Sequence, residues 1–170
     1  MHYDDNKPKI FRWVIYAIFI LTAILLQNAC GVFLGTFGAR GILVLPLIIS
    51  ISMFEREVPA GLFGAISGTI LDISNGKDGF NAIVLMILCA TVSVLVTHLM
   101  QKNIVTALVL SFGGTLIYQI IYIITNMFGV VNLKILFTFY LPSLILTMLA
   151  VPIWFFAIKN IYSNHRVADE

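Results

Sequence analysis

Apolar residues along this chain occur in long uninterrupted runs that short polar segments separate, a pattern typical of helices buried on all sides. A helix needs about 20 residues to cross a hydrocarbon core of about 30 Å, and four of the runs reach about that length. The second and third runs have 14 residues each. We expect them to be short full spans with charged residues at their ends, and the alternative is a re-entrant pair. The predicted helices are 13–30, 41–54, 58–71, 81–100, 104–124 and 135–158.

The composition indicates that this surface faces lipid. Hydrophobic residues make up 60% of the chain and charged residues 11%, and the mean hydropathy is +1.01. That leaves too few charges to cover a soluble fold. We therefore predict an all-α polytopic membrane protein, a compact bundle of about six transmembrane helices. It would form one domain over residues 1–170, with cytoplasmic tails at 1–12 and 159–170. A cleaved signal peptide is disfavoured, because the sequence after the first run is again apolar.

The basic residues predict the orientation of the bundle and the absence of one class of partner. The net charge is only +2 and the basic residues are scattered, which argues against nucleic-acid binding. With six spans, seven basic residues fall on one side and three on the other, and the positive-inside rule places both termini in the cytoplasm. The seven are Lys7, Lys9, Arg12, Arg56, Lys102, Lys159 and Arg166; the three are Arg40, Lys77 and Lys134.

The third run carries a face of small and acidic residues. At 100° per residue, Glu57, Gly61, Gly64, Gly68 and Asp72 all fall within a sector of about 80°. Glycines four residues apart allow close approach of helices in lipid, where no hydrophobic force drives association. We therefore expect this face to pack against protein. Packing inside the monomer is favoured, and contact with a partner protein is the alternative.

Asp72 precedes a turn that Gly76 and Gly79 predict before the helix beginning near Asn81. A carboxylate on a glycine-lined face does not serve lipid contact. We expect it to cap backbone N–H groups or to bond to another helix, because a proton relay would need further acids at the same depth.

Three prolines are expected to kink or loosen their helices. Pro46 lies in the second run, and Pro142 and Pro152 lie in the sixth. Each removes a backbone donor, and Ser143 or Thr147 could bond to the carbonyls released.

The residues needed for catalysis are not gathered at one depth. The histidines lie in the tails or near a helix end, and the two cysteines show no metal-ligand spacing. We therefore predict no enzymatic activity, no metal and no cofactor. One further polar group, Tyr118, Gln119 and Tyr122, is a candidate polar pocket, although interhelical hydrogen bonding is the commoner use of such residues.

The chain resembles the MreD family, the rod shape-determining integral membrane proteins of bacteria. The resemblance extends over nearly the whole chain, and its specific part is the spacing of glycines and acids after the second run. The matching positions are Leu26-Gln27, Pro46, Glu55, Gly61, Gly64, Gly68, Asp72-Ile73, Gly76, Gly79 and Asn81.

This resemblance implies a non-catalytic scaffold of the elongasome in the bacterial cytoplasmic membrane. The implied partners are MreC and, through it or directly, MreB and the RodA–transpeptidase wall-synthesis complex; a homo-oligomer is also conceivable. The family is similar in six-helix form to the substrate-binding subunits of energy-coupling-factor transporters. A vitamin-binding subunit is therefore the alternative function. A small pore is disfavoured, because no helix has a continuous polar stripe.

Overall fold

The computed structural model describes residues 7–34, 42–76, 79–126 and 141–166, and these form six helices with no strand among them. The predicted helical membrane bundle is confirmed. Four stretches are long and apolar enough to cross a membrane: Ile10–Ala29, Phe80–His98, Ile104–Thr125 and Leu141–Ser163. The helices are α1 (Lys7–Leu34), α2 (Val44–Phe54), α3 (Glu57–Asn75), α4 (Phe80–His98), α5 (Ile104–Asn126) and α6 (Leu141–Arg166).

Helix α2 is the centre of the bundle. Every one of its 11 residues is buried, and it contacts each of the other five helices. It begins at Val44 rather than at the predicted residue 41, because Ile42 and Leu43 are not helical. At 1.5 Å per residue it rises only about 16 Å, about half of a hydrocarbon core. Protein rather than lipid therefore surrounds this short helix.

Side chains from two other helices bind the backbone at the start of α2. The Gln27 side-chain oxygen accepts a hydrogen bond from the Val44 N–H at 3.2 Å, and the Thr147 hydroxyl accepts one from the Ile42 N–H, also at 3.2 Å. Backbone donors at a helix start have no partner within the helix, and leaving them unpaired inside the membrane is costly. Residues on α1 and α6 thus stabilise the buried beginning of α2.

Helix α3 is longer than predicted and forms an antiparallel hairpin with α4. It has 19 residues rather than 14, a rise of about 28 Å. The polar residues after Leu71 continue the helix, and it ends at Gly76, whose φ of 61° is left-handed and whose N–H donates to the Asp72 carbonyl. Gly79, with φ of 80°, precedes α4. Such backbone angles favour glycine, so both turn glycines have a conformational role.

Two of the three prolines cause no kink. Pro46 and Pro142 lie in the first turns of α2 and α6, where the backbone donor has no helical partner in any case. The expectation that they distort their helices is therefore wrong. Pro152 alone lies inside its helix. The Thr147 hydroxyl donates to the Ser143 carbonyl at 2.7 Å, rather than to the carbonyl four residues before Pro152. Residues 135–140 of the predicted sixth span lie outside the described residues.

Candidate functional site: the α3–α4 hairpin and its polar network

The glycines of α3 lie against α4 at very short range. A Cβ atom built on Gly64 would be 2.5 Å from the Leu85 carbonyl oxygen, and one on Gly68 would be 2.5 Å from the Ala82 Cα. One on Gly61 would be 3.8 Å from its nearest neighbours, an ordinary contact distance. The backbone of α4 therefore occupies the space of two missing side chains, and these two glycines are covered within the monomer.

Asp72 binds the first turn of α4 with both carboxylate oxygens. Its Oδ1 accepts a hydrogen bond from the Asn81 N–H at 3.1 Å, and its Oδ2 accepts one from the Ala82 N–H at 2.9 Å. Gly79, which precedes the helix, has no side chain for this purpose. A carboxylate at a helix N-terminus also interacts favourably with the helix dipole. Asp72 therefore caps α4 from the neighbouring helix, and it is 3% exposed.

Asn81 extends this network to α5. Its backbone N–H donates to Asp72, and its side-chain oxygen accepts a hydrogen bond from the Tyr118 hydroxyl at 2.6 Å. Tyr122 stacks on Tyr118, with ring centroids 6.4 Å apart. Three helices are thus joined by one chain of hydrogen bonds. Within the membrane each such bond has few alternatives, since no water competes for its groups.

The three residues of the predicted polar pocket do not all join this network. Gln119 is buried, and its amide nitrogen has no hydrogen-bond partner in the structure. Tyr118 is bound to Asn81 instead. Glu57, the first residue of the glycine-lined face, lies at the opposite end of the hairpin. Its carboxylate is 4.0 Å from the His98 ring nitrogen, and both side chains are more than half exposed. Exposed pairs of this kind contribute little stability.

A buried ion pair, which the sequence analysis missed, holds the other end of the bundle. Arg12 Nε is 2.9 Å from Glu55 Oε1, although the N–H is not aligned for a hydrogen bond, and the side chains are 10% and 6% exposed. The Ser93 hydroxyl donates to the Glu55 backbone carbonyl at 2.8 Å. The available signal was an arginine inside an apolar run, because a charge at that depth requires a partner.

Two opposing effects act on the Glu55 carboxyl, which lies between α2 and α3 outside the long apolar spans. Burial raises the pKa of Glu55 above its ordinary value, and the Arg12 guanidinium acts in the opposite direction. The raised pKa means that desolvation outweighs the attraction of the counter-charge. The ion pair therefore orients α1 against the α2–α3 junction more than it adds net stability.

An apolar groove of about 430 Å³ runs between α4 and α5. Its walls include Leu88 and Val92 from α4, and Leu110, Gly113 and Ile117 from α5. A polar small molecule needs converging hydrogen-bonding groups, and this lining offers hardly any. The groove is suited to hydrocarbon and does not favour a vitamin-binding site.

The fold and these contacts define a class: a helical integral membrane protein whose buried polar residues join helices to one another. The family model described as rod shape-determining protein MreD matches residues 7–163 of the 170. The chain belongs to the MreD family and is a rod shape-determining membrane protein. No curated protein and no solved structure matches it. The resemblance to transporter subunits therefore stays a prediction.

Proposed function

We propose that this protein is a non-catalytic scaffold of the bacterial elongasome that supports cell shape and lateral peptidoglycan synthesis. Its direct partner would be MreC, with MreB and the RodA–transpeptidase complex recruited through MreC or directly. The protein would lie in the cytoplasmic membrane with both termini in the cytoplasm. Family membership supports the shape role.

The observation that carries the scaffold proposal is the use made of Asp72. Both of its oxygens are occupied by backbone donors of α4. An acid that relays protons or binds a substrate needs free coordination, whereas one that joins two helices maintains a shape. The glycine contacts of the same hairpin also leave no room for relative sliding of α3 and α4. A rigid hairpin is what a partner-binding scaffold requires, because preorganised surfaces bind at lower entropic cost.

The proposal is tested by replacing the chromosomal copy in a rod-shaped bacterium with a depletable one. We expect depletion to increase cell width, and we expect MreC to co-purify with the full-length protein in mild detergent. A transporter subunit would give a different outcome: normal width, loss of growth on one nutrient, and recovery of an ATPase pair. Normal width together with failure to recover MreC would contradict the scaffold proposal.

A further inference from the structure

The end of the bundle that holds the Arg12–Glu55 pair also holds a second cation. The Lys102 ammonium lies 5.3 Å from the centre of the Tyr162 ring and 5.6 Å from that of Phe54. The Arg12 guanidinium lies 5.2 Å from the same Tyr162 ring. The two aromatic rings are themselves in contact, with centroids 5.2 Å apart. We call these five residues, Arg12, Phe54, Glu55, Lys102 and Tyr162, the basic–aromatic cluster.

The cluster brings together residues from separate parts of the chain at one depth. Arg12 is near the start of the first apolar span and Tyr162 near the end of the last one. Glu55 follows α2, and Lys102 lies between α4 and α5. All of them therefore lie where apolar helices end, the level at which phospholipid headgroups begin.

The charges of the cluster do not balance. Both cations lie on one ring, so their centres are within roughly 10 Å of each other, about one Debye length at 0.1 M salt. The single carboxylate of Glu55 contacts Arg12 and offsets one positive charge. The three charges sum to +1 in a partly desolvated place, where an additional anion is favoured.

We propose that the basic–aromatic cluster binds the phosphate of an anionic phospholipid headgroup. Lys102, which is exposed, contacts the phosphate, and the Phe54 and Tyr162 rings hold its ammonium in position. Buried Arg12 adds positive potential from beneath. The acyl chains of the lipid would lie along the apolar surface of the bundle. This inference concerns the lipid environment and does not depend on the scaffold proposal.

The test uses the full-length protein in an uncharged detergent, with thermal unfolding measured during titration with phosphatidylglycerol. We expect saturable stabilisation by this lipid and much less by phosphatidylcholine. Lys102→Gln should weaken the apparent affinity about fivefold, which corresponds to about 1 kcal/mol for one basic residue near anionic lipid. Lys102→Arg, which keeps the charge, should retain most of the affinity.

Lys159→Gln is the matched control, because it removes another exposed cation of α6 that lies outside the cluster. An equal loss of affinity in Lys159→Gln and Lys102→Gln would mean general electrostatic attraction and would overturn the proposal. Equal stabilisation by phosphatidylcholine, or by inorganic phosphate alone, would overturn it as well. So would the absence of any stabilisation of the unmodified protein.

Discussion

Adding a single methyl group to successive glycines of α3 should separate close helix packing from every other property of these residues. The substitutions are Gly61→Ala, Gly64→Ala and Gly68→Ala, which make the same chemical change on one face of one helix. At Gly61 the new carbon would have neighbours at 3.8 Å, and at Gly64 and Gly68 at 2.5 Å. Only the last two variants require α3 and α4 to move apart.

The magnitude follows from the atoms that would be displaced. At Gly68 they belong to the backbone of α4, including the Asn81 carbonyl oxygen, and cannot move aside as a flexible side chain does. Overpacking costs about 1–3 kcal/mol, and strained Asp72 hydrogen bonds add about 1 kcal/mol. Alanine regains about 1 kcal/mol of helix propensity at every site. We therefore expect a net loss of about 2 kcal/mol for Gly64→Ala and Gly68→Ala, and a small gain for Gly61→Ala.

The assay is thermal unfolding of the purified full-length variants in one detergent. For a chain of this size, 2 kcal/mol corresponds to roughly 4–8 °C in Tm. Gly61→Ala serves as the internal control, since it carries the same propensity gain without the clash. If all three variants unfold within about 1 °C of one another, the close approach of α3 and α4 does not contribute to stability and the reasoning is wrong.

The polar contacts give three further predictions, measured by the same unfolding assay. Asp72→Asn should cost about 1–2 kcal/mol, because an amide keeps only one of two acceptor oxygens; an unchanged Tm would contradict the capping role. Tyr118→Phe should cost about 1 kcal/mol by leaving the Asn81 side-chain oxygen without its donor, and a double-mutant cycle between these residues should be non-additive. Arg12→Leu should cost about 3 kcal/mol, and adding Glu55→Leu should recover most of it; a further loss in the double variant would refute the view that the pair chiefly orients helices.

The sequence alone was sufficient for the properties that depend on local composition and period. Long apolar runs with few charges determine a membrane bundle, because transfer into lipid is a sum over residues. The phase of the glycines and Asp72 on α3 follows from helix geometry and needs no knowledge of neighbours. The spacing of these residues was also enough to identify the family that the whole-chain match shows.

The identity of each contact was decided only by the tertiary structure. The sequence could not say that α4 occupies the face of Gly64 and Gly68, or that Asp72 binds α4 with both oxygens. It placed Arg12 and Glu55 at the ends of separate runs, whereas the fold makes them partners. The physical reason is that period and hydropathy are properties of one segment, and a contact depends on which segments become neighbours. In lipid every helix offers a similar apolar surface, so close backbone fit and buried polar pairs, rather than hydrophobicity, select those neighbours.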